Sequence, residues 1–137
     1  MRGIYALILF LPENKQIHIG ALGKIDFRKG FYCYIGSAQN NLEKRIQRHL
    51  KLKKKKKWHI DYFREHTEVK AIFIKRNAKK EEECKSAKVL GELFIPVLHF
   101  GCSDCLCKAH LFYSPNFMHL KKALVSLGFE EYGMGKV

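Results

Sequence analysis

Gly30-Phe-Tyr-Cys-Tyr-Ile-Gly-Ser-Ala-Gln-Asn-Asn-Leu-Glu-Lys-Arg-Ile-Gln-Arg-His49 holds one strand, one turn and one helix. Residues 31–35 are aromatic and β-branched and stop at Gly36, the composition of a strand. A polar turn follows, and Asn40 with Glu43 three residues later forms a capping-box pattern that opens a helix. Within that helix Leu42, Arg45, Ile46, His49 and Leu50 fall at i, i+3, i+4, i+7 and i+8, so a single stripe carries all five. Surface helices keep Arg and His off the apolar stripe. Here both lie on it, directly after a strand with Tyr32 and Tyr34 on one face. A cation, an imidazole and phenols above a strand-to-helix turn suit the handling of phosphate. The same spacing also fits an arginine whose stem lies along the core with its head in water, and a hydrogen-bonded histidine at the core boundary.

Upstream, residues 3–11 are nearly all apolar, as a buried central strand requires. Pro12-Glu-Asn-Lys15 is a turn, and residues 16–22 alternate well enough to be the hairpin partner of that first strand. Residues 23–30 form a connection bounded by Gly23 and Gly30. Downstream of the helix, Lys53, Lys54, Lys55, Lys56 and Lys57 make an unbroken basic run. Such a run is either a solvated face or a contact for a phosphate backbone. Trp58-His-Ile-Asp-Tyr-Phe63 opens a second short helix, with Trp58 and Tyr62 stacked at i, i+4. Residues 68–75 alternate as a further strand, and residues 79–94 form a third helix with Ala87, Leu90, Gly91 and Phe94 on its apolar stripe. That stripe extends backwards onto Glu83. A carboxylate in line with a core face either pairs with a cation such as Arg45 or holds a metal, since burying it bare is too costly. Residues 95–100 and 110–114 fit short strands, Asn116 caps a last helix ended by Gly128, and residues 130–137 are a loosely held tail.

Composition limits the partners. Lys and Arg number 26 against 13 Asp and Glu, a formal net charge of +13 over 137 residues. That excess concentrates polyanions near the surface, with nucleic acid the leading candidate and an anionic membrane surface behind it. The apolar run at residues 4–11 is too short to span a bilayer and lacks a cleavage site, so a cytoplasmic, non-membrane protein is expected. Its five cysteines are then reduced thiols or metal ligands rather than disulfides. Cys102, Cys105, Cys107 and His110 are spaced C-x2-C-x-C-x2-H and can all reach one tetrahedral Zn²⁺; the alternative is a loop of buried thiols around Asp104.

Gly3-Ile-Tyr5 and Tyr34-Ile-Gly36 resemble the two name-giving motifs of the GIY-YIG nuclease superfamily. Arg45 and Glu83 fall where that superfamily carries its catalytic Arg and metal-binding Glu. The chain is most similar to an uncharacterised branch sometimes fused to endonuclease III. Its hallmarks resemble Tyr34-Ile-Gly-Ser-Ala38, Arg48-His49-Leu50, Trp58-His-Ile-Asp-Tyr62, Glu83-Cys84 and Ser103-Asp-Cys-Leu-Cys-Lys-Ala-His-Leu111. The likeness covers residues 3 to 113.

The resemblance implies a small antiparallel sheet with helices around it, cutting phosphodiester bonds with one divalent ion. Together with the residue patterns it gives an α+β fold in a single domain over residues 1–137. Its sheet, antiparallel or mixed, has three to five strands flanked by three to four helices, with a Cys-rich loop at 101–110. The implied site has Tyr5 as proton acceptor, aided by Tyr34 and by positive charge that lowers its pKa, with His49 as the alternative base. Arg45 stabilises the transition state, and Glu83 binds Mg²⁺ or Mn²⁺. Arg48, His59 and residues 53–57 bind nucleic acid, DNA in preference. The alternative is a catalytically silent nucleic-acid-binding module, and a weaker one a partner subunit of a repair enzyme. Two features depart from the usual pattern: a whole strand lies between the two tripeptides, and Arg45 falls one residue later than usual.

Overall fold

The computed structural model describes residues 1–102 and 107–133. Its strands are β1 (Gly3–Leu11), β2 (Lys15–His18), β3 (Lys24–Phe27), β4 (Gly30–Ala38), β5 (Glu68–Arg76), β6 (Ile95–Pro96), β7 (Leu111–Ser114) and β8 (Glu130–Tyr132). Its helices are α1 (Leu42–Leu50), α2 (His59–Arg64), α3 (Lys80–Leu93) and α4 (Phe117–Ser126). The fold is α+β.

The apolar run of β1 has a simple cause: the strand is buried on both faces. It lies inside a six-stranded antiparallel sheet of order β6-β7-β4-β1-β5-β8, paired with β4 on one side and β5 on the other. Successive side chains alternate between faces. Tyr5, Leu7, Leu9 and Leu11 enter one core with Leu42 and Ile46 of α1, Ile60 and Phe63 of α2, and Ile17 and Phe27 of the β2–β3 hairpin. Ile4, Ala6 and Ile8 enter a second core with Ala87 and Leu90 of α3 and Leu120 and Leu124 of α4. The sheet is therefore sandwiched between α1, α2 and the hairpin on one side and α3 with α4 on the other.

Several boundaries differ from the sequence expectations. Residues 15–18 pair with β3 rather than with β1, making a separate two-stranded sheet. Alternation reveals a strand but not its neighbour. Among the described residues the main sheet has six strands rather than three to five: the strand expected at 95–100 is only the two-residue β6, and β8, three residues at the start of the expected tail, shows no readable period. The start of the expected loose tail is the edge strand β8, paired with β5, while residues 134–137 lie outside the described residues. Asn41, not Asn40, caps α1, accepting from the Lys44 N–H at 3.0 Å. Asn116 caps α4 as expected, and Gly128 follows it at φ 93°.

Candidate active site

Both tripeptide glycines are required by close approach. Tyr5 faces Gly36 across the β1–β4 ladder, and a Cβ on Gly36 would collide with the Tyr5 ring. A Cβ on Gly3 would strike the Lys75 carbonyl of β5. With Gly36 beneath it, the phenol lies across β4, and its Oη stands 2.6 Å from Nε2 of His49 on α1. The Tyr34 ring is 6.4 Å from Tyr5 and 5.8 Å from His49, and Trp58 is 5.9 Å from His49, between centroids. The His49 side of the α1 stripe thus closes a box of aromatic rings.

Burial decides the protonation states inside the box. His49 is fully buried, and desolvation, with Lys54 nearby, holds its pKa down to about 3, so the imidazole is neutral at pH 7. In the tautomer with its hydrogen on Nδ1, Nε2 accepts the hydrogen bond from the Tyr5 hydroxyl; Nδ1 is buried without a partner among the described residues. Burial raises the pKa of both Tyr5 and Tyr34 well above the phenol value. The expected lowering of Tyr5 by positive charge is therefore corrected: Arg45 pulls it down, but desolvation outweighs that pull.

Arg45 is half-buried at the rim. Its Nη1 donates to the Ser37 carbonyl at 3.0 Å, and its guanidinium lies 4.6 Å from the Trp58 centroid. Arg48 stacks on the same indole at 4.4 Å and forks onto Asp61 with bonds of 2.9 and 2.8 Å. Asp61 also accepts from the backbone N–H groups of Lys57 and Trp58. Burial pulls its pKa up, yet Arg48 and those two donors hold it below the usual carboxylate range. Trp58 accordingly packs on His49 and the guanidinium groups, while Tyr62 meets His18 of the hairpin instead.

The expected nucleic-acid residues divide in two. Arg48 is committed to Asp61. Lys54 donates to the carbonyls of Arg48 and His49, closing the C-terminal end of α1 together with buried Arg64. His59 accepts from the Gly101 N–H at 2.8 Å and ties α2 to the Cys-rich loop. Lys53, Lys55 and Lys57 are exposed, and Lys56 pairs with Glu65 at 3.2 Å.

Glu83 lies in the first turn of α3, where the helix dipole favours a carboxylate. Its Oε2 is 3.6 Å from Nδ1 of buried His110, and its charge is felt by both Tyr5 and Tyr34. His110 is stitched to β4: the Ile35 N–H donates to the His110 carbonyl at 3.0 Å, and His110 Nδ1 lies 3.3 Å from the Ile35 carbonyl. Beside it, one ligand atom each from Cys84, Cys107 and His110 lie within 4.8 Å of one another, a group able to hold a metal ion. The expected set is thereby altered. Cys84 of α3 joins, Cys102 stands apart with its thiol 3.5 Å from the Phe100 carbonyl, and Cys105 is outside the described residues. Only its place after Glu83 drew notice to Cys84, because spacing rules do not reach across 23 residues.

These elements define an α+β protein in which a buried phenol of β1 meets a buried imidazole of α1, with a guanidinium and a carboxylate nearby. Over residues 4–132 the chain matches the family described as Domain of unknown function DUF123, and it belongs to that family. No curated protein and no solved structure matches it. Among the described residues no helix is long and apolar enough to cross a membrane.

Proposed function

We propose that the protein is a GIY-YIG-type endonuclease that hydrolyses phosphodiester bonds in DNA with the help of a divalent ion. The observation that carries this reading is the 2.6 Å bond between Tyr5 and His49. Arg45 of α1 acts on the same phenol, and the charge of Glu83 on α3 is felt there. A phenol in contact with a neutral imidazole can take a proton from water at its oxygen while passing its own to Nε2. The raised phenol pKa then matters less, because no free phenolate has to persist. His49 is a weak base when the site is empty of anions; a phosphate beside it makes the imidazolium more favourable by Coulomb attraction. Arg45, already held at the rim by Ser37 and Trp58, is placed to fork onto a non-bridging oxygen as charge grows there. Glu83 suits a hard ion, being a mostly buried carboxylate with an opening to water, and Mg²⁺ or Mn²⁺ there would steady the leaving oxygen. Lys53, Lys55 and Lys57 supply sequence-independent attraction to the backbone.

The test is nicking of supercoiled plasmid with Mg²⁺ and with Mn²⁺, wild type beside Glu83→Ala. Cleavage by wild type alone, with DNA affinity retained by the variant, supports the reading. Equal cleavage by both sinks it.

One observation favours a second reading, a binding module without catalysis: Tyr5 is only 1% and Tyr34 8% exposed. A phenol that substrate water does not reach abstracts no proton. On that reading neither protein cuts plasmid, and both bind DNA with the same salt dependence.

A further inference from the structure

We propose that Cys84, Cys107 and His110 bind a zinc ion that clamps the segment from Cys107 to His110 onto α3, at a site separate from the carboxylate of Glu83. The ligand atoms lie within 4.8 Å of one another although the residues come from two distant parts of the chain. Around a tetrahedral zinc, sulfur and nitrogen donors stand about 3.5–3.8 Å apart, so a closure of no more than about 1 Å completes the set. Three protein donors suffice to hold zinc, the fourth position going to water or another ligand. Two thiolates and an imidazole select a softer ion than Mg²⁺, which takes oxygen donors. Adjacent residues of α3, Glu83 and Cys84, therefore address two different classes of metal.

The surroundings are those of a metal-bound imidazole. His110 is 2% exposed, and its Nδ1 is 3.3 Å from the Ile35 carbonyl. An Nδ1–H donated there fixes the tautomer that ligates through Nε2, the outer-sphere arrangement that metal-binding histidines use. Cys84 and Cys107 also line a cleft of about 640 Å³, together with Gly91, Pro96 and Phe112, which gives an ion a path inward. Zinc on Nε2 would hold the imidazole whose other nitrogen faces Glu83 at 3.6 Å. The clamp would then act as a positioning device for that carboxylate. It does not depend on the nuclease reading, because its tests measure metal and stability.

The experiment is metal analysis of the full chain purified without chelator or affinity histidines, followed by stripping under reducing conditions and titration with Co²⁺. We expect about one equivalent of zinc per chain, bound tightly enough to survive dialysis. Zinc, not Mg²⁺, restores the thermal midpoint lost on stripping. Co²⁺ gives the intense visible bands of a tetrahedral thiolate site, which requires no variant and so holds if Cys84→Ser fails to fold. Cys84→Ser and Cys107→Ser lose at least about nine-tenths of the zinc, while Cys102→Ser keeps it. Less than about a tenth of an equivalent in wild type, with no thiolate bands from Co²⁺, would overturn the proposal. So would full zinc retention by a folded Cys84→Ser. A Cys84–Cys107 disulfide whose reduction yields no metal uptake would also overturn it.

Discussion

His49 makes folding sensitive to acid in a calculable window. The imidazole titrates near 6.5 in an unfolded chain and near 3 in the fold, where burial opposes its charge. Between those values the unfolded state binds more protons, so stability rises with pH and is lost as the pH falls from about 6.5 towards 3. One proton contributes about 1.4 kcal/mol per pH unit inside the window, so lowering the pH from 7 to 5 costs about 2 kcal/mol from this residue alone. The matched perturbation is His49→Gln, which keeps an acceptor for the Tyr5 hydroxyl but cannot titrate. Urea unfolding of both proteins across this range isolates the effect, because every other ionisable group is shared. The wild-type curve should fall towards the variant's, or further below it, by about 2 kcal/mol between pH 7 and pH 5. A gap constant to within about 0.5 kcal/mol would refute the neutral, buried His49 and with it the proton-accepting role given to Nε2.

Other outcomes follow from single contacts. Gly36→Ala forces a methyl into the Tyr5 ring and should cost about 1–3 kcal/mol in thermal unfolding, while His49→Gln at pH 7 costs less. Asp61→Asn leaves Arg48 without its counter-charge at a site where the Asp61 side chain is fully buried; a loss of about 2–3 kcal/mol is expected, and a change below about 0.5 would contradict the clasp. Replacing exposed Lys53, Lys55 and Lys57 together with Ala should lower the slope of log affinity against log salt for duplex DNA by about 2.7, with the thermal midpoint unmoved. An unchanged slope would move the DNA contact elsewhere.

The sequence was most legible where one period carried one cause. The unbroken apolar run of β1 follows from burial on two faces, and the α1 stripe, which puts Arg45 and His49 on one face, from a helix packed against that strand; that Tyr5 meets them is implied by the resemblance and not by either period. Tyr34 followed from the β4 pattern. Legibility failed where the partner is distant in sequence. Nothing in residues 16–22 says that they turn back onto β3 rather than onto β1, and nothing around Cys84 says that Cys107 and His110 come to meet it. Nor does the sequence show that the head groups of Arg48 and Lys54, expected at phosphate, bond to Asp61 and to the helix-end carbonyls. A run of lysines gives composition, whereas its division into clasp and free charge depends on geometry.

Of the six strands of the main sheet, the inner strand β1 is the first to leave the ribosome. Gly3–Leu11 pairs with residues 30–38 and then with residues 68–76, and Gly3 meets Arg76 across the second ladder. During synthesis a sticky, two-edged ribbon therefore waits: one margin is sealed after the fourth strand emerges, the other only once residues 68–76 have been made. Slowing translation between residues 38 and 68 should lengthen the life of a half-sheathed intermediate with one hydrophobic margin bare, and make nascent-chain aggregation depend on codon usage in that interval.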